Sequence, residues 1–200
     1  AVVERLLVGN SDQVLISDCL STYDPIERPK QKCLAHHKKA LRNAIERLPD
    51  AVTEPLRELK LALTAALALG NAREDIEPDR FARHYVNLQE AVDSILERDY
   101  EHEGVGKALH RFRNHRDSLF TFLERPEVPP TNNHAERQLR GPVIARKLSC
   151  GNRTKKGKGT WQILTSIAAT CRQQARSFVD LVAQALPLNA STPQLFQTTG

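Results

Sequence analysis

The sequence predicts an α/β fold that is mostly α-helical, because one short strand pattern is followed by a long helical pattern. Val14, Leu15 and Ile16 form an unbroken apolar run, typical of a strand buried on both faces in a parallel or mixed sheet. From Pro49 to Glu124, apolar residues recur every three or four positions, which is the period of amphipathic helices. A hydrophobic content of 40% is enough for these elements to bury a core.

Residues 1–48 contain the predicted strands. Ala1 to Val8 is expected to form a helix, and the apolar strand runs from Gln13 to Asp18. Lys30 to Leu34 is a second short strand, which leads into a helix from about Ala35 to Leu48.

Asp18 is the first candidate for a functional site. It stands at the carboxyl end of the predicted strand, which is the edge where open α/β sheets bind their ligands. The alternative is that Asp18 only caps the segment from Cys19 to Tyr23, and the residue taken by itself favours this alternative.

Cysteine and histidine residues near the second strand raise the question of zinc. Cys33, His36 and His37 are close in sequence, but no second half-site with the usual spacing follows, which favours a structural or supporting role. The four cysteines are scattered without a Cys-x-x-Cys pair, so we expect free, packed thiols.

Residues 49–125 are predicted to be an inserted helical subdomain with three amphipathic helices. Nothing in it indicates catalysis, and His102, His110 and His115 are expected to be exposed rather than to act as ligands. The apolar stripes of the three helices are, in order, Leu56, Leu59, Leu63 and Leu67; Phe81, Tyr85, Leu88, Val92 and Ile95; and Val105, Leu109, Phe112, Leu119 and Leu123.

Residues 126–186 contain the string Pro-Pro-Thr-Asn-Asn-His-Ala-Glu-Arg-Gln-Leu-Arg, from Pro129 to Arg140, which predicts a new helix capped by Asn133. The spacing places Glu136 on one helical face with Asn133, Arg137 and Arg140, a face suited to a phosphate-bound metal ion. The alternative is a simple capping box, which the spacing alone favours.

Positive charge is concentrated between Pro126 and Arg176, which we call the basic segment. It carries ten Lys or Arg residues against two Glu, a surplus of +8 in a chain of net charge +5, as expected for a phosphate-rich partner. The alternative is a solubilising surface. Its central part, Cys150 to Gly159, is predicted as a loop. The cations singled out for DNA contact are Arg146, Lys147, Arg153, Lys155, Lys156 and Lys158.

The helix that begins near Asn133 is expected to kink or end at Gly141-Pro142. A long helix follows the loop, with Trp161, Leu164, Ile167, Ala168 and Cys171 predicted to face inward, and a last helix runs from Ser177 to Leu186. The tail, residues 187–200, is polar.

The composition also limits the cellular setting. The chain has no apolar run long enough to cross a membrane and opens with no signal-peptide pattern, so we expect a cytoplasmic protein. It starts at Ala1 and contains no Met, which suggests a piece of a longer polypeptide.

Asp18 and Glu136 together suggest a divalent-metal site. Carboxylates bind hard ions such as Mg²⁺ or Mn²⁺, and two such ions can serve phosphoryl chemistry. Local spacing does not establish that the two side chains meet.

Four short motifs of the chain resemble a known family. Ser17-Asp18, Cys33-Leu34-Ala35-His36, the string from Asn132 to Arg140 and Ile144-Ala145-Arg146-Lys147 resemble the catalytic domain of DDE transposases of the insertion-sequence sixty-six type. The resemblance extends from about Gln13 through Leu186, and the helical middle matches in character more than in motif.

The resemblance implies a partial ribonuclease-H-like core in residues 1–48, a large all-helical insertion before the last acidic residue, and a three-carboxylate site holding two Mg²⁺ or Mn²⁺ ions. Asp18 falls on the second acidic position and Glu136 on the third, while the first lies on an earlier strand. The chain would then be a fragment, inactive alone, of an enzyme that cleaves and transfers DNA strands.

By the same resemblance, Asn133, Arg137, Arg140 and Lys147 would orient the carboxylate or contact DNA phosphates. The partners would be transposon ends, target DNA and further copies of the protein, in a prokaryotic cytoplasm on the nucleoid. Two alternatives remain: a non-catalytic helical nucleic-acid-binding module, or a fragment of a ribonuclease-H-like nuclease or decayed element.

Overall fold

The computed structural model describes residues 12–148 and 151–185, which are mostly helical. The predicted first helix, Cys150, Leu186 and the polar tail lie outside these residues. Two short strands, β1 (Leu15–Ser17) and β2 (Lys30–Lys32), precede the helices. The helices are α1 (Leu34–Arg47), α2 (Glu54–Asn71), α3 (Pro78–Glu97), α4 (Glu103–Asn114), α5 (Thr121–Glu124), α6 (Asn133–Leu148), α7 (Lys155–Gln173) and α8 (Phe178–Ala185).

The two strands pair in parallel, with Leu15 opposite Lys30 and Ser17 opposite Lys32. Both predicted strands are shorter than expected, because the ladder closes where the Cys33 N–H donates to the Ser17 carbonyl at 2.8 Å and α1 begins at the next residue. The prediction that the first strand is buried on both faces is wrong for Leu15 and Ile16, which are half-buried. Among the described residues, β1 pairs with β2 alone.

The core lies between α1, α2, α3 and α4, and the predicted helical stripes form it. Leu41, Leu59, Leu63, Val92 and Leu109 are among its fully buried residues, and Ile16 of β1 packs against its edge. The first two stripes are confirmed as single helices, α2 and α3.

The third predicted helix is interrupted, which corrects the sequence prediction. α4 ends at Asn114, a 3₁₀ turn follows at Arg116–Ser118, and the four-residue α5 comes next, although Leu119 and Leu123 remain buried. The interruption is explained by the side chain of Gln31, which lies in β2. The buried Gln31 Nε2 donates to the Leu119 carbonyl at 3.0 Å, and its Oε1 accepts from the Phe122 N–H at 3.0 Å. These bonds satisfy backbone groups that a continuous helix would pair internally.

Contacts divide the chain into two compact units, one up to Asn133 and one from His134 onward. In the second, α6 continues through Pro142, so of the predicted kink or end at Gly141-Pro142 the end is wrong. An interior proline removes one helical hydrogen bond without obliging the helix to stop. In α7, Cys171 is buried as predicted, whereas Leu164 is 43% exposed.

Two helical glycines are expected to respond in opposite directions to alanine. A Cβ on Gly70 would lie 2.8 Å from Cε2 of the buried Phe122 ring, whereas a Cβ on Gly106 would meet nothing within 4 Å. Gly70→Ala should therefore lower the free energy of unfolding by about 1–3 kcal/mol through overpacking. Gly106→Ala should raise it by about 0.5–1 kcal/mol through helix propensity. Urea denaturation of both variants measures these values, and a stabilising Gly70→Ala would contradict the packing described for Phe122.

Candidate active site

Asp18 directly follows β1, so the predicted position at the carboxyl end of a strand is confirmed. The residue is half-buried, and its Oδ1 accepts a hydrogen bond from the Leu20 N–H at 3.1 Å. An aspartate that bonds a backbone N–H two residues ahead forms a local turn and fixes its own orientation. The capping alternative is wrong as stated, because the 3₁₀ turn at Ser21–Tyr23 is preceded by Leu20 and has no side-chain cap.

The chain that enters α6 is held beside the first residues after β2. The Leu34 N–H donates to the Pro130 carbonyl at 3.0 Å, and the Asn132 N–H donates to the Cys33 sulfur at 3.4 Å. Because Cys33 also bonds Ser17 of β1, the segment Pro130–Asn132 lies next to the carboxyl ends of both strands.

α6 carries the Asn-Asn-x-Ala-Glu-Arg string. It begins at Asn133, so Asn133 is its first residue and not the preceding cap that the sequence predicted. Glu136 is half-buried, and Arg137 and Arg140 are exposed. Asp18 and Glu136 belong to different compact units, and the site they would share stays a prediction.

The predicted basic loop is largely the start of a helix. Lys155, Lys156 and Lys158 lie in the first turns of α7, because Thr154 caps it: its hydroxyl accepts from the Gly157 N–H at 2.9 Å. Of the described residues of this predicted loop, Gly151 to Thr154 precede the helix. The cations named for DNA contact, including Arg146, Lys147 and Arg153, are all exposed.

The buried side chain of Lys32 makes hydrogen bonds to Asp24 and to the backbone of Asp18. Lys32 is 1% exposed, and its Nζ donates to the Asp24 Oδ1 at 2.7 Å and to the Asp18 carbonyl at 3.4 Å. Burial disfavours the charged form of Asp24, but the hydrogen bond and charge of Lys32 outweigh it and lower the pKa of Asp24. The His115 Nε2 lies 3.6 Å from the same carboxyl oxygen.

Three potential metal ligands meet beside this lysine, and sequence reasoning missed the group. One ligand atom each from Cys19, His37 and His115 lies within 4.8 Å of the other two. Burial lowers the pKa of His37 to about 3, so this imidazole is neutral, and burial also lowers the pKa of His115. Burial raises the pKa of the Cys19 thiol to about 11.

The prediction that His115 is exposed is wrong, since 8% of it is accessible. It follows the last residue of α4, and its ring lies edge-on to His37 of α1 with 5.4 Å between centroids. Of Cys33, His36 and His37, for which the sequence favours a structural or supporting role, only His37 belongs to this cluster, and the Cys33 sulfur accepts the Asn132 N–H. No local sequence signal joins Cys19, His37 and His115, which come from three separate elements.

A concentrated basic segment is typical of proteins that bind phosphate-rich polymers. Sequence comparison is more specific: the Transposase IS66 family matches residues 1–159, and the chain belongs to this family. The resemblance inferred from the motifs is thereby confirmed.

One relative is the "Uncharacterized protein y4jO" of Sinorhizobium fredii (strain NBRC 101917 / NGR234), which is 31% identical over 88 residues. The aligned part covers 44% of this chain and 27% of the relative. No solved structure matches the chain. Among the described residues, no helix is both long and apolar enough to span a bilayer.

Proposed function

We propose that the protein is a DNA transposase of the DDE type, in which Asp18 and Glu136 are two of the carboxylates that bind catalytic divalent metal ions. The observation that carries the proposal is the attachment of Pro130–Asn132 beside the strand ends, where Asp18 also lies. Glu136 is in the first turn of α6, and α6 begins at Asn133, directly after this attached segment.

The donor groups fit Mg²⁺ or Mn²⁺. Both ions prefer oxygen ligands, and the Leu20 N–H fixes one oxygen of Asp18 so that the carboxylate keeps a defined orientation. When bound, a pair of such ions activates the attacking oxygen and stabilises the leaving oxygen of a phosphodiester. Asp18 and Glu136 would hold the ions, and Arg137 and Arg140 would bind non-bridging phosphate oxygens, for which the guanidinium fork is suited.

The lysines at the start of α7 support the DNA-binding part of the proposal. Lys155, Lys156 and Lys158 lie at the positive end of the helix dipole, and the first turn contains no acidic residue. Cations at this end weaken a helix by about 0.3–1 kcal/mol each, whereas a phosphate there is attracted by the lysines and by the free N–H groups. The transposon ends, the target DNA and further copies of the protein are the proposed partners.

Neutralising these three lysines is expected to flatten the salt dependence of DNA affinity. If each contacts one phosphate, changing all three to Gln should reduce the slope of log K against log[salt] by about 2–3. Fluorescence anisotropy with duplex DNA at several salt concentrations measures the slope. The control changes Lys39, Arg47 and Lys107, exposed on α1 and α4, to Gln and alters the net charge equally. Equal slopes for the two triple variants would remove α7 from the DNA interface.

The activity itself is tested with the full-length protein and DNA carrying the transposon ends. We expect strand cleavage that requires Mg²⁺ or Mn²⁺ and is lost when either Asp18 or Glu136 is neutralised. DNA binding without cleavage under these conditions would instead favour a non-catalytic binding module. Cleavage without joining to target DNA would favour a nuclease.

A further inference from the structure

The Cys19, His37 and His115 cluster is held in place by three different parts of the first compact unit. Cys19 lies in the turn after β1, His37 on α1, and His115 immediately after α4. His37 is fully buried, and neither of its ring nitrogens has a hydrogen-bond partner among the described residues. Buried polar atoms without partners are costly, and an absent ligand is one explanation for them.

His115 has the arrangement of a supported metal ligand. Its Nε2 faces the Asp24 carboxylate, while its buried Nδ1 has no partner in the described part of the chain. A metal-bound histidine commonly donates its second ring N–H to a carboxylate, which fixes the tautomer and directs the other nitrogen at the metal. Asp24 is in turn fixed by Lys32.

We propose that Cys19, His37 and His115 bind a thiophilic transition-metal ion, with Zn²⁺ as the expected occupant, at a site separate from the carboxylate site. The ligand atoms lie within 4.8 Å of one another. A tetrahedral zinc ion with bonds of about 2.0–2.3 Å requires ligand separations of about 3.3–3.7 Å, so the three groups must close by at most about 1.5 Å. A water molecule would be the fourth ligand, and Cys19 is the half-buried member of the cluster.

The nearby positive charges and the donor atoms favour a thiophilic metal ion over a hard ion. Lys32 and Arg111 add positive charge nearby, and a hard ion held only by electrostatic attraction would be disfavoured there. Zn²⁺ forms strong bonds to thiolate and imidazole, and binding would release the Cys19 proton. Mg²⁺ and Mn²⁺ prefer oxygen donors, so the proposed zinc site would not compete with the carboxylate site for its ions.

The position of Cys19 gives the site a consequence for the proposed enzyme. Because Cys19 follows Asp18 directly, a bound ion would tie the turn that carries Asp18 to α1 and to the end of α4. This consequence depends on the proposed function, but binding of the metal does not. The test therefore measures binding alone.

The experiment titrates the chelator-treated, purified protein with Co²⁺ and then with Zn²⁺. We expect one Co²⁺ per chain to give a thiolate-to-cobalt charge-transfer band, which Zn²⁺ abolishes. Cys19→Ser should remove the band, and His37→Gln and His115→Gln should each weaken Co²⁺ affinity at least about 10-fold. The matched controls, Cys171→Ser and His110→Gln, should bind like wild type, and circular dichroism checks that every variant is folded.

Two results would overturn the proposal. The first is wild-type protein that gives no charge-transfer band with Co²⁺, a measurement that depends on no variant. The second is a band that survives Cys19→Ser but is lost in Cys33→Ser, which would assign the thiolate to the Cys33, His36 and His37 trio.

Discussion

Asp18→Asn is expected to abolish metal-dependent DNA cleavage, with a loss of about 10³-fold or more in the rate. Asparagine keeps the shape of the side chain and an oxygen that can accept the Leu20 N–H, so the turn after β1 should persist. It removes the negative charge that would bind a divalent ion. The loss would therefore report metal binding and not a distorted fold.

Glu136→Gln should give a loss of the same size for the same reason. The amide is a poor ligand for Mg²⁺, yet glutamine is as good a helix former as glutamate in the first turns of α6. Both variants should bind end DNA within about 2-fold of wild type, because phosphate affinity depends on the cations of the basic segment.

The matched controls for these variants are Asp99→Asn and Glu90→Gln, which change exposed carboxylates of the helical unit. They should retain cleavage. Partial rescue of the catalytic variants by Mn²⁺, which tolerates nitrogen and amide ligands better than Mg²⁺, would support direct coordination. Full cleavage by either catalytic variant in Mg²⁺ would refute the assignment of that carboxylate.

Gln31→Leu is expected to destabilise the first compact unit by about 2–4 kcal/mol. The fully buried Gln31 amide bonds the Leu119 carbonyl and the Phe122 N–H, which belong to the connection between α4 and α5. Leucine has a similar volume but leaves both backbone groups buried and without these bonds. Each such group costs about 1–3 kcal/mol, more than leucine's apolar character can offset.

Urea denaturation followed by circular dichroism measures this change. The control is Gln89→Leu, which removes one hydrogen bond to the Tyr85 hydroxyl from a half-buried position and should cost less than about 1 kcal/mol. Equal effects of the two substitutions would mean that Gln31 does not hold the sheet to the helical core.

The helices of the core were predictable because their signal is local. Pro78 opens α3, and its apolar stripe fixes the buried face wherever the partner helices lie. The interruption after α4 was not predictable, since Gln31 binds that backbone from 88 residues away. The prediction of a loop around Lys155 was wrong for a more local reason. Its glycines are typical of loops, but Thr154 caps a helix that begins there.

The features of the candidate sites also separate into those that the sequence determined and those that only the tertiary structure determined. The amino-acid sequence alone determined the family, the strand that directly precedes Asp18 and the clustering of positive charge, because motifs, short-range periodicity and charge depend on neighbouring residues. Only the tertiary structure brought Cys19 to His37 and His115 and buried Lys32 against Asp24. Such contacts depend on how the strands and helices pack. This packing joins residues that are distant in the chain, so the local sequence does not predict it.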